Sequence, residues 1–199
     1  MAKTPDAQPE ATLKVELRDR ELAAFLAWLV PGLGHLYQGR NGKAALFAIC
    51  ILGVFFFGLY LGSDRQRQWY GRVVYFAGTD RLPYVCQVGV GLPALPALVQ
   101  AMRAANNNKV WLGGFMAPPQ PTANAKADDP NRDQPTLHEL HNQLARFFEF
   151  GTVYTMVAGL LNVLAIYDAW GGPVFPPTAP QKERSEGKKD EEEEEGNEK

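Results

Sequence analysis

Long apolar blocks alternate with polar segments along the chain, and the blocks give the first prediction. Four runs free of Asp, Glu, Lys and Arg cover residues 22–39, 44–63, 82–102 and 150–167, so each is 18 to 21 residues long. At about 1.5 Å per residue, such runs make roughly 27–30 Å of helix, the thickness of a bilayer's hydrocarbon core. Core helices of water-soluble proteins usually carry a charged face. The pattern therefore predicts an all-α, polytopic helical membrane protein with about four hydrophobic helices and disordered polar tails.

The segments between the blocks complete the predicted organisation. We predict a polar N-terminal segment over 1–20, a hydrophobic helical hairpin over 21–62, a basic and aromatic connector over 63–81, a Pro- and Gly-rich third span over 82–102, a long polar loop over 103–146, a fourth span over 147–170 and a disordered acidic tail over 171–199. The connector suits either a membrane-surface segment or a plain loop. The sequence leaves open whether residues 22–39 span fully or are re-entrant.

The average composition hides this pattern. Mean hydropathy is slightly negative because polar residues are concentrated in the tails and in one long loop. Formal net charge is −2, and no basic patch is dense enough to indicate nucleic-acid binding. Cys50 and Cys86 both lie inside apolar runs, where cysteine behaves as a small hydrophobe.

Basic residues near the ends of the blocks predict an orientation. With four spans and the amino terminus inside, thirteen Lys and Arg residues face the cytoplasm and seven lie outside. We therefore predict a multi-pass protein of the cell inner membrane with both termini in the cytoplasm. Its predicted partners are the lipid bilayer and either a membrane protein or further copies of the chain, with no nucleic acid.

Catalytic chemistry finds little support in the sequence. Ser63 and Ser185 are the two serines, and neither has a recognisable activating partner. His138 and His141 are three residues apart, whereas the zinc-protease arrangement needs histidines at i and i+4. We predict no catalytic residue, no cofactor and no metal ligand, although weak metal binding by the HELH segment stays open.

The stretch PGLGHLYQG, residues 31–39, interrupts the first apolar block. Its proline removes a backbone donor, and its glycines allow unusual dihedrals or close approach, so the stretch predicts the closing end of a span and a turn. His35 and Asn162 lie inside apolar blocks and Asp168 lies at the exit of the last one, and unpaired polar groups in lipid are costly. The candidate structural or functional residues are therefore Pro31, Gly32, Gly34, His35, Tyr37, Gly39, Asn162 and Asp168.

Residues 27–40 (AWLVPGLGHLYQGR) resemble the two-transmembrane-helix domain family, which has a Gly-rich hairpin signature of the form His-aromatic-Tyr-x-Gly. They are more similar still to uncharacterised bacterial integral membrane proteins with a Pro-Gly-x-Gly-His-x-Tyr-x-Gly signature. The sequence AGLLNVLAIYDAW, residues 158–170, is similar to the end of the second helix of the former family, where an apolar run closes on an aspartate, here Asp168. The resemblance covers about 22–62 and 150–170. It implies a membrane hairpin and, because those families largely lack an assigned activity, no particular chemistry.

Three functions follow as hypotheses. The first is a non-catalytic scaffold or accessory subunit whose spans pack with each other or with a partner. The alternative is a small-molecule or ion pathway, which requires His35, Asn162 and Asp168 to face one polar cavity. A membrane enzyme that uses His35 with His138 or His141 requires the long loop to fold back against the hairpin.

Overall fold

A computed structural model describes residues 19–78, 82–121 and 129–172 of the chain. Within these ranges the chain forms α-helices and short 3-10 turns, with two isolated β-bridges and no β-strand. The all-α prediction is confirmed. The predicted disordered segments at the two termini lie outside the described residues, apart from the few that adjoin the first and last helices.

Seven α-helices follow one another along the described ranges. They are α1 (Arg20–Leu29), α2 (Leu33–Tyr37), α3 (Asn41–Leu61), α4 (Leu82–Gln87), α5 (Leu95–Ala105), α6 (Leu137–Leu144) and α7 (Arg146–Gly171). Three 3-10 turns accompany them, at Val88–Val90, Leu92–Ala94 and Leu112–Gly114.

Two of the helices, α3 and α7, are long and apolar enough to cross a membrane. They coincide with the second and fourth predicted spans. The first and third predicted spans are broken in the structure, because neither contains a continuous helix longer than 11 residues. Four spanning helices are therefore not confirmed for the described part of the chain.

A proline ends the first of these broken blocks. Pro31 has no N–H to continue the hydrogen bonding of α1, and it restricts Val30 to the extended conformation seen there (φ −138°, ψ 123°). Gly32 follows with φ +88° and lies so close to the Ala44 carbonyl that a Cβ atom would overlap it. The chain therefore reverses at residues 30–32 and returns through α2.

The other broken block reverses in the same manner. Helix α4 passes into the 3-10 turn Val88–Val90, and Gly91 then adopts φ +83°, ψ −131°, a conformation that only glycine adopts readily. The phenolic hydroxyl of Tyr84 donates to the carbonyl oxygen of Ala94 at 3.2 Å, which ties the descending and returning parts together. Helix α5 completes the return.

Helices α3 and α7 pack against each other through small residues. A Cβ atom at Gly58 would approach the Gly151 carbonyl oxygen to 2.9 Å, and one at Gly151 would approach the Gly58 carbonyl oxygen to 2.7 Å. Seven of the nine buried positions of α7 carry Gly, Ala or Thr: Gly151, Thr152, Thr155, Ala158, Gly159, Ala165 and Ala169. Apart from the buried Phe148, most large apolar side chains of α7 instead point away from the fold, with Leu164 66% and Tyr167 70% exposed.

Candidate functional site

Asn162 of α7 lies where the two reversals meet. Its Nδ2 donates to the carbonyl oxygen of Ala27 at 3.1 Å and to that of Gly89 at 2.9 Å. Ala27 belongs to the last turn of α1, and Gly89 belongs to the 3-10 turn that follows α4. One fully buried amide therefore joins two segments that are far apart in the sequence.

Further contacts close this junction. The indole Nε1 of Trp28 donates to the carbonyl oxygen of Val88 at 3.3 Å. Gly91 packs directly on the Trp28 carbonyl oxygen, and a Cβ atom at residue 91 would overlap that oxygen. Gly159, one turn before Asn162, packs on the Cys86 carbonyl with the same tightness. The junction consists of backbone surfaces in contact, and small residues make the contact possible.

Proline chemistry explains why Asn162 is needed there. In a continuing helix, the N–H of residue 31 would donate to the carbonyl oxygen of Ala27, but Pro31 has no N–H. A buried carbonyl oxygen without a donor costs about 1–3 kcal/mol. Asn162 Nδ2 supplies the missing donor from another helix. The sequence motif and the distant asparagine are thus parts of one hydrogen-bonding arrangement.

The two segments reach the junction from opposite ends of α7. Gln87 bonds Thr155, and Gly89 bonds Asn162 further along α7. Helix α4 therefore starts near the end of α7 that carries Glu149 and runs towards the middle of α7. Residues Ala27 and His35 bond Asn162 and Asp168, so the first segment occupies the end that carries Asp168. We refer to these as the Glu149 end and the Asp168 end.

A charged cluster surrounds Asp168 at its end of the fold. The Nε2 of His35 lies 2.8 Å from Asp168 Oδ2, the Nη2 of Arg40 donates to the same oxygen at 3.0 Å, and Lys43 Nζ lies 3.3 Å from it. Gln38 Nε2 donates to the carbonyl oxygen of Ala169 at 2.6 Å. These bonds attach α2 and the start of α3 to the last turn of α7.

His35 is fully buried within this cluster, against the ring of Phe47. Burial lowers the pKa of His35 below its usual value, and the nearby Arg40 lowers it further, while the hydrogen bond to Asp168 opposes the shift. Asp168 also accepts from two cations, so Nε2 of His35 serves as the donor to this carboxylate. Its buried Nδ1 has no hydrogen-bond partner. Protonation would place an unpaired N–H at that atom.

The remaining motif residues shape the backbone around this cluster. Gly34 packs on α1, where a Cβ atom would overlap the Ala23 carbonyl. Tyr37 is half-buried, and Gly39 adopts φ +78° in open space at the turn before α3. The motif is therefore built into the reversal and the turn, with His35 as the side chain that joins it to α7.

The predicted site residues form two groups in the structure. His35 and Asp168 are in direct contact. Asn162 bonds Ala27 and Gly89 instead, six residues and about 9 Å along α7 from Asp168. The structure therefore does not bring His35, Asn162 and Asp168 into one site.

The HELH segment lies at the Glu149 end, away from His35. His138 Nε2 is 2.9 Å from Asn142 Nδ2, and His141 Nε2 is 3.2 Å from Glu149 Oε1. Glu149 and Asp168 are 19 residues apart on α7, which is roughly 28 Å. Both histidines line an open groove of about 740 Å³ beside α6. Nowhere in the described ranges do three or more His, Cys, Asp or Glu side chains form a group that could hold a metal ion.

Several buried polar residues escaped the sequence analysis, among them Gln87 and Arg72. Gln87 is fully buried, and its Nε2 donates to the Val73 carbonyl and to Thr155 Oγ1. Arg72 is 1% exposed, and it donates through Nη2 to Gln134 at 2.6 Å while Nε and Nη1 have no partner. Gln87 lies inside an apolar run, and a polar residue in such a run indicates a buried side chain that needs hydrogen-bond partners. Arg72 lies in a polar connector beside other arginines, and nothing in the sequence distinguishes it from them.

The described residues thus define an all-helical protein with two helices able to cross a membrane. Two further segments reverse the direction of the chain, at residues 30–32 and at Gly91. The chain belongs to the family of unknown function DUF6677, whose model matches residues 22–182. The prediction of an uncharacterised family is confirmed at that level, and similarity to the two-transmembrane-helix domain family stays a prediction. No curated protein and no solved structure matches the chain.

Proposed function

We propose that the chain is an integral protein of the bacterial inner membrane with two spanning helices and a non-catalytic role as a scaffold or accessory subunit. The packing of α7 is the main support for this proposal. Small residues fill most of its buried face, while large apolar side chains are exposed, the reverse of the usual arrangement in a water-soluble protein. A water-soluble protein rarely exposes so large an apolar surface. In lipid, acyl chains cover such side chains, and small residues let helices approach closely.

Aromatic residues with polar tips support the same placement. Tyr167 and Trp170 are exposed at the Asp168 end, and Tyr60 and Trp111 are exposed at the Glu149 end. Tyrosine and tryptophan concentrate at membrane–water interfaces. Lys43 and Tyr60 are 17 residues apart along α3, so the polar ends of that helix are about 26 Å apart, close to the thickness of the hydrocarbon core.

In this proposal, residues 19–40 and 82–105 are re-entrant segments that enter the membrane from opposite sides. Broken helices are tolerated at membrane depth where the protein itself satisfies their freed backbone groups. Asn162 provides donors to both segments, and Trp28 links one segment to the other. Each segment then enters and leaves on its own side, and two helices cross.

Two crossings place both termini on one side and residues 62–145 on the other. This arrangement moves the 63–81 connector away from the termini, so the charge count made for four spans does not apply. Lysine and arginine are then divided almost evenly, eleven on the side of the termini and nine on the other. Cytoplasmic termini stay a prediction.

The polar candidates support a structural role rather than a catalytic one. His35 bonds Asp168, and Asn162 bonds Ala27 and Gly89, so each is engaged in holding parts of the same chain together. An ion or small-molecule pathway needs those polar groups around one cavity. Because Asn162 faces the junction and not the charged cluster, the geometry favours the scaffold.

Cys50 offers a direct test of the membrane placement. Its thiol is exposed in the middle of α3, so it would react readily with a water-soluble thiol reagent if water surrounded that surface. With Cys86 replaced by alanine, we expect Cys50 in intact membranes to resist a charged maleimide and to react after solubilisation in SDS. The matched control is Asn106→Cys, at the exposed end of α5. Both proteins are labelled in the same unsolubilised membrane fragments with both faces open to the reagent, and Asn106→Cys should react there. Rapid labelling of Cys50 in intact membranes would contradict the proposal.

The scaffold role has its own test. Purification from native membranes in mild detergent should retain a stoichiometric membrane partner or a second copy of the chain. A lone chain, recovered without either under conditions that preserve its helices, would contradict the scaffold role and leave the membrane placement intact.

A further inference from the structure

Arginines stacked on aromatic rings mark the Glu149 end of the fold. The guanidinium of Arg65 lies 5.5 Å from the ring centre of Tyr60, and that of Arg103 lies 5.5 Å from the ring centre of Trp111. Both rings are about 60% exposed. A ring face attracts a guanidinium by a cation–π interaction and leaves N–H groups for other partners. Arg103 uses its Nε for the carbonyl oxygen of Lys109 at 3.1 Å, and its terminal nitrogens remain for a ligand.

Both pairs belong to the same end of the molecule. Tyr60 lies in the last turn of α3. Trp111 is tied to α5 by hydrogen bonds with Gln100, and the neighbouring Phe115 packs on Gly71 in the segment that follows α3. In the proposed membrane placement, this is the level at which α3 leaves the hydrocarbon core.

Two arginines at this end have no acidic partner within the described ranges. Among the described residues, neither Arg65 nor Arg103 pairs with a carboxylate, whereas Arg67 is paired with Asp64 at 2.6 Å. The sequence of 62–149, which covers this end, holds nine Lys and Arg residues against seven acids. At the Asp168 end, by contrast, Arg40 and Lys43 share the carboxylate of Asp168.

We propose that Arg65 and Arg103 at the Glu149 end bind the phosphate groups of anionic phospholipids, with Tyr60 and Trp111 as their platforms. The inference rests on the proposed membrane placement and adds a lipid preference to one side of the protein. Guanidinium groups form strong, charge-assisted hydrogen bonds with phosphate. A zwitterionic lipid presents its own cation beside the phosphate, so the unpaired guanidinium groups of Arg65 and Arg103 select anionic lipid.

The preference can be measured at Trp111 itself. In a full-length chain with Trp69→Phe and Trp170→Phe, Trp111 is the exposed indole that remains. The half-buried Trp28 also remains, and since the arginine variants share it, differences in quenching between them report on Trp111. The chain is reconstituted in phosphatidylcholine that contains a small fraction of brominated lipid, either phosphatidylglycerol or phosphatidylcholine. We expect brominated phosphatidylglycerol to quench Trp111 as if its local fraction were about two- to fivefold above the bulk fraction. Arg65→Gln with Arg103→Gln should abolish the excess, and Arg67→Gln should retain it.

The outcomes separate the two proposals. Equal quenching by both brominated lipids would overturn the lipid preference and leave the membrane placement standing. Quenching by neither would overturn both. Loss of the excess in Arg67→Gln to the same degree would overturn the assignment to Arg65 and Arg103.

A second measurement avoids the tryptophan replacements. Native mass spectrometry of the otherwise unmodified chain, released from mixed-lipid nanodiscs, should show bound phosphatidylglycerol on the parent chain and on Arg67→Gln. The Arg65→Gln, Arg103→Gln double variant should carry at most half as much. Equal retention by all three proteins would overturn the inference.

Discussion

The side-chain Nδ2 of Asn162 lies 3.1 Å from the carbonyl oxygen of Ala27, an oxygen that Pro31 leaves without its helical donor. The two residues are 135 positions apart in the sequence. A break in the first helix is thus repaired by the last helix. The same amide serves Gly89, so one side chain supports both reversals.

Replacing Asn162 with leucine should strongly destabilise the fold. The change keeps the volume but leaves the carbonyl oxygens of Ala27 and Gly89 buried without this donor, at a cost of about 2–4 kcal/mol. The free energy of unfolding in mixed detergent micelles measures the loss. Leu161→Ala, on the exposed side of α7, is the matched control and should cost less than about 1 kcal/mol. Equal stability of the two variants would show that these bonds do not hold the segments.

Gly91→Ala should prevent the two segments from meeting. The added methyl group overlaps the Trp28 carbonyl oxygen, and the dihedral angles of residue 91 are strained for any L side chain. We expect a loss of about 3–5 kcal/mol, measured by the same unfolding titration. Gly39→Ala is the control, since Gly39 also has positive φ but nothing within 4 Å, and it should cost about 1–2 kcal/mol. A similar cost at both positions would contradict the close packing of the junction.

Acidification should destabilise the cluster at the Asp168 end through His35. Because burial lowers the pKa of His35, the unfolded chain binds this proton more readily than the folded chain. The contribution to stability is complete above about pH 6.5, the ordinary pKa of histidine, and it is lost as the pH falls towards the folded pKa. His35→Gln, which keeps an N–H donor for Asp168, should show a shallower loss of unfolding free energy between pH 7 and 5. Comparison at pH 8 gives the intrinsic cost of the replacement, and parallel pH profiles would contradict the prediction.

Arg72→Met should leave stability unchanged or raise it by up to about 2 kcal/mol. Burial without a carboxylate lowers the pKa of Arg72 to about 10, and two of its nitrogens lack hydrogen-bond partners. Methionine fills similar space with no buried charge. The Gln134 side chain released by the change is half-buried and lines an open cleft of about 180 Å³, where water can reach it. Thermal unfolding checks the prediction, and a large loss would contradict it.

The matched variant for Arg72 is Gln134→Leu. It removes the acceptor and keeps the buried guanidinium, so it should destabilise by about 1–3 kcal/mol. If Gln134→Leu is neutral while Arg72→Met is harmful, then the Arg72 guanidinium stabilises the fold through an interaction other than its bond to Gln134.

The sequence predicted the two long apolar helices well because their signal is local. An apolar run of about 20 residues without proline or charge leaves α3 and α7 few alternatives. Residues 22–39 and 82–102 passed the same length and charge test, yet they break at Pro31 and Gly91. Whether such a break only bends the helix or reverses the chain depends on distant hydrogen-bond donors such as Asn162. The pattern of apolar residues does not indicate where those donors are.

The sequence predicted which residues belong to the site but not which of them contact each other. His35, Asn162 and Asp168 stood out because polar groups in apolar blocks need partners. Spacing alone could not show that His35 would contact Asp168 while Asn162 would bond the freed Ala27 carbonyl. Arg72 went unnoticed because its burial arises from the packing of Gly114 and Gln134, which lie over 40 residues later in the chain.

The long sequence separation of these bonds sets an order of assembly during synthesis. The first segment needs Asn162 for its free carbonyl and Asp168 for His35, and both belong to the last helix made. At 5–20 residues per second, a ribosome takes roughly ten seconds to add the intervening stretch. During that interval the first segment lacks these two partners, and a nascent chain arrested before residue 162 should remain sensitive to protease there.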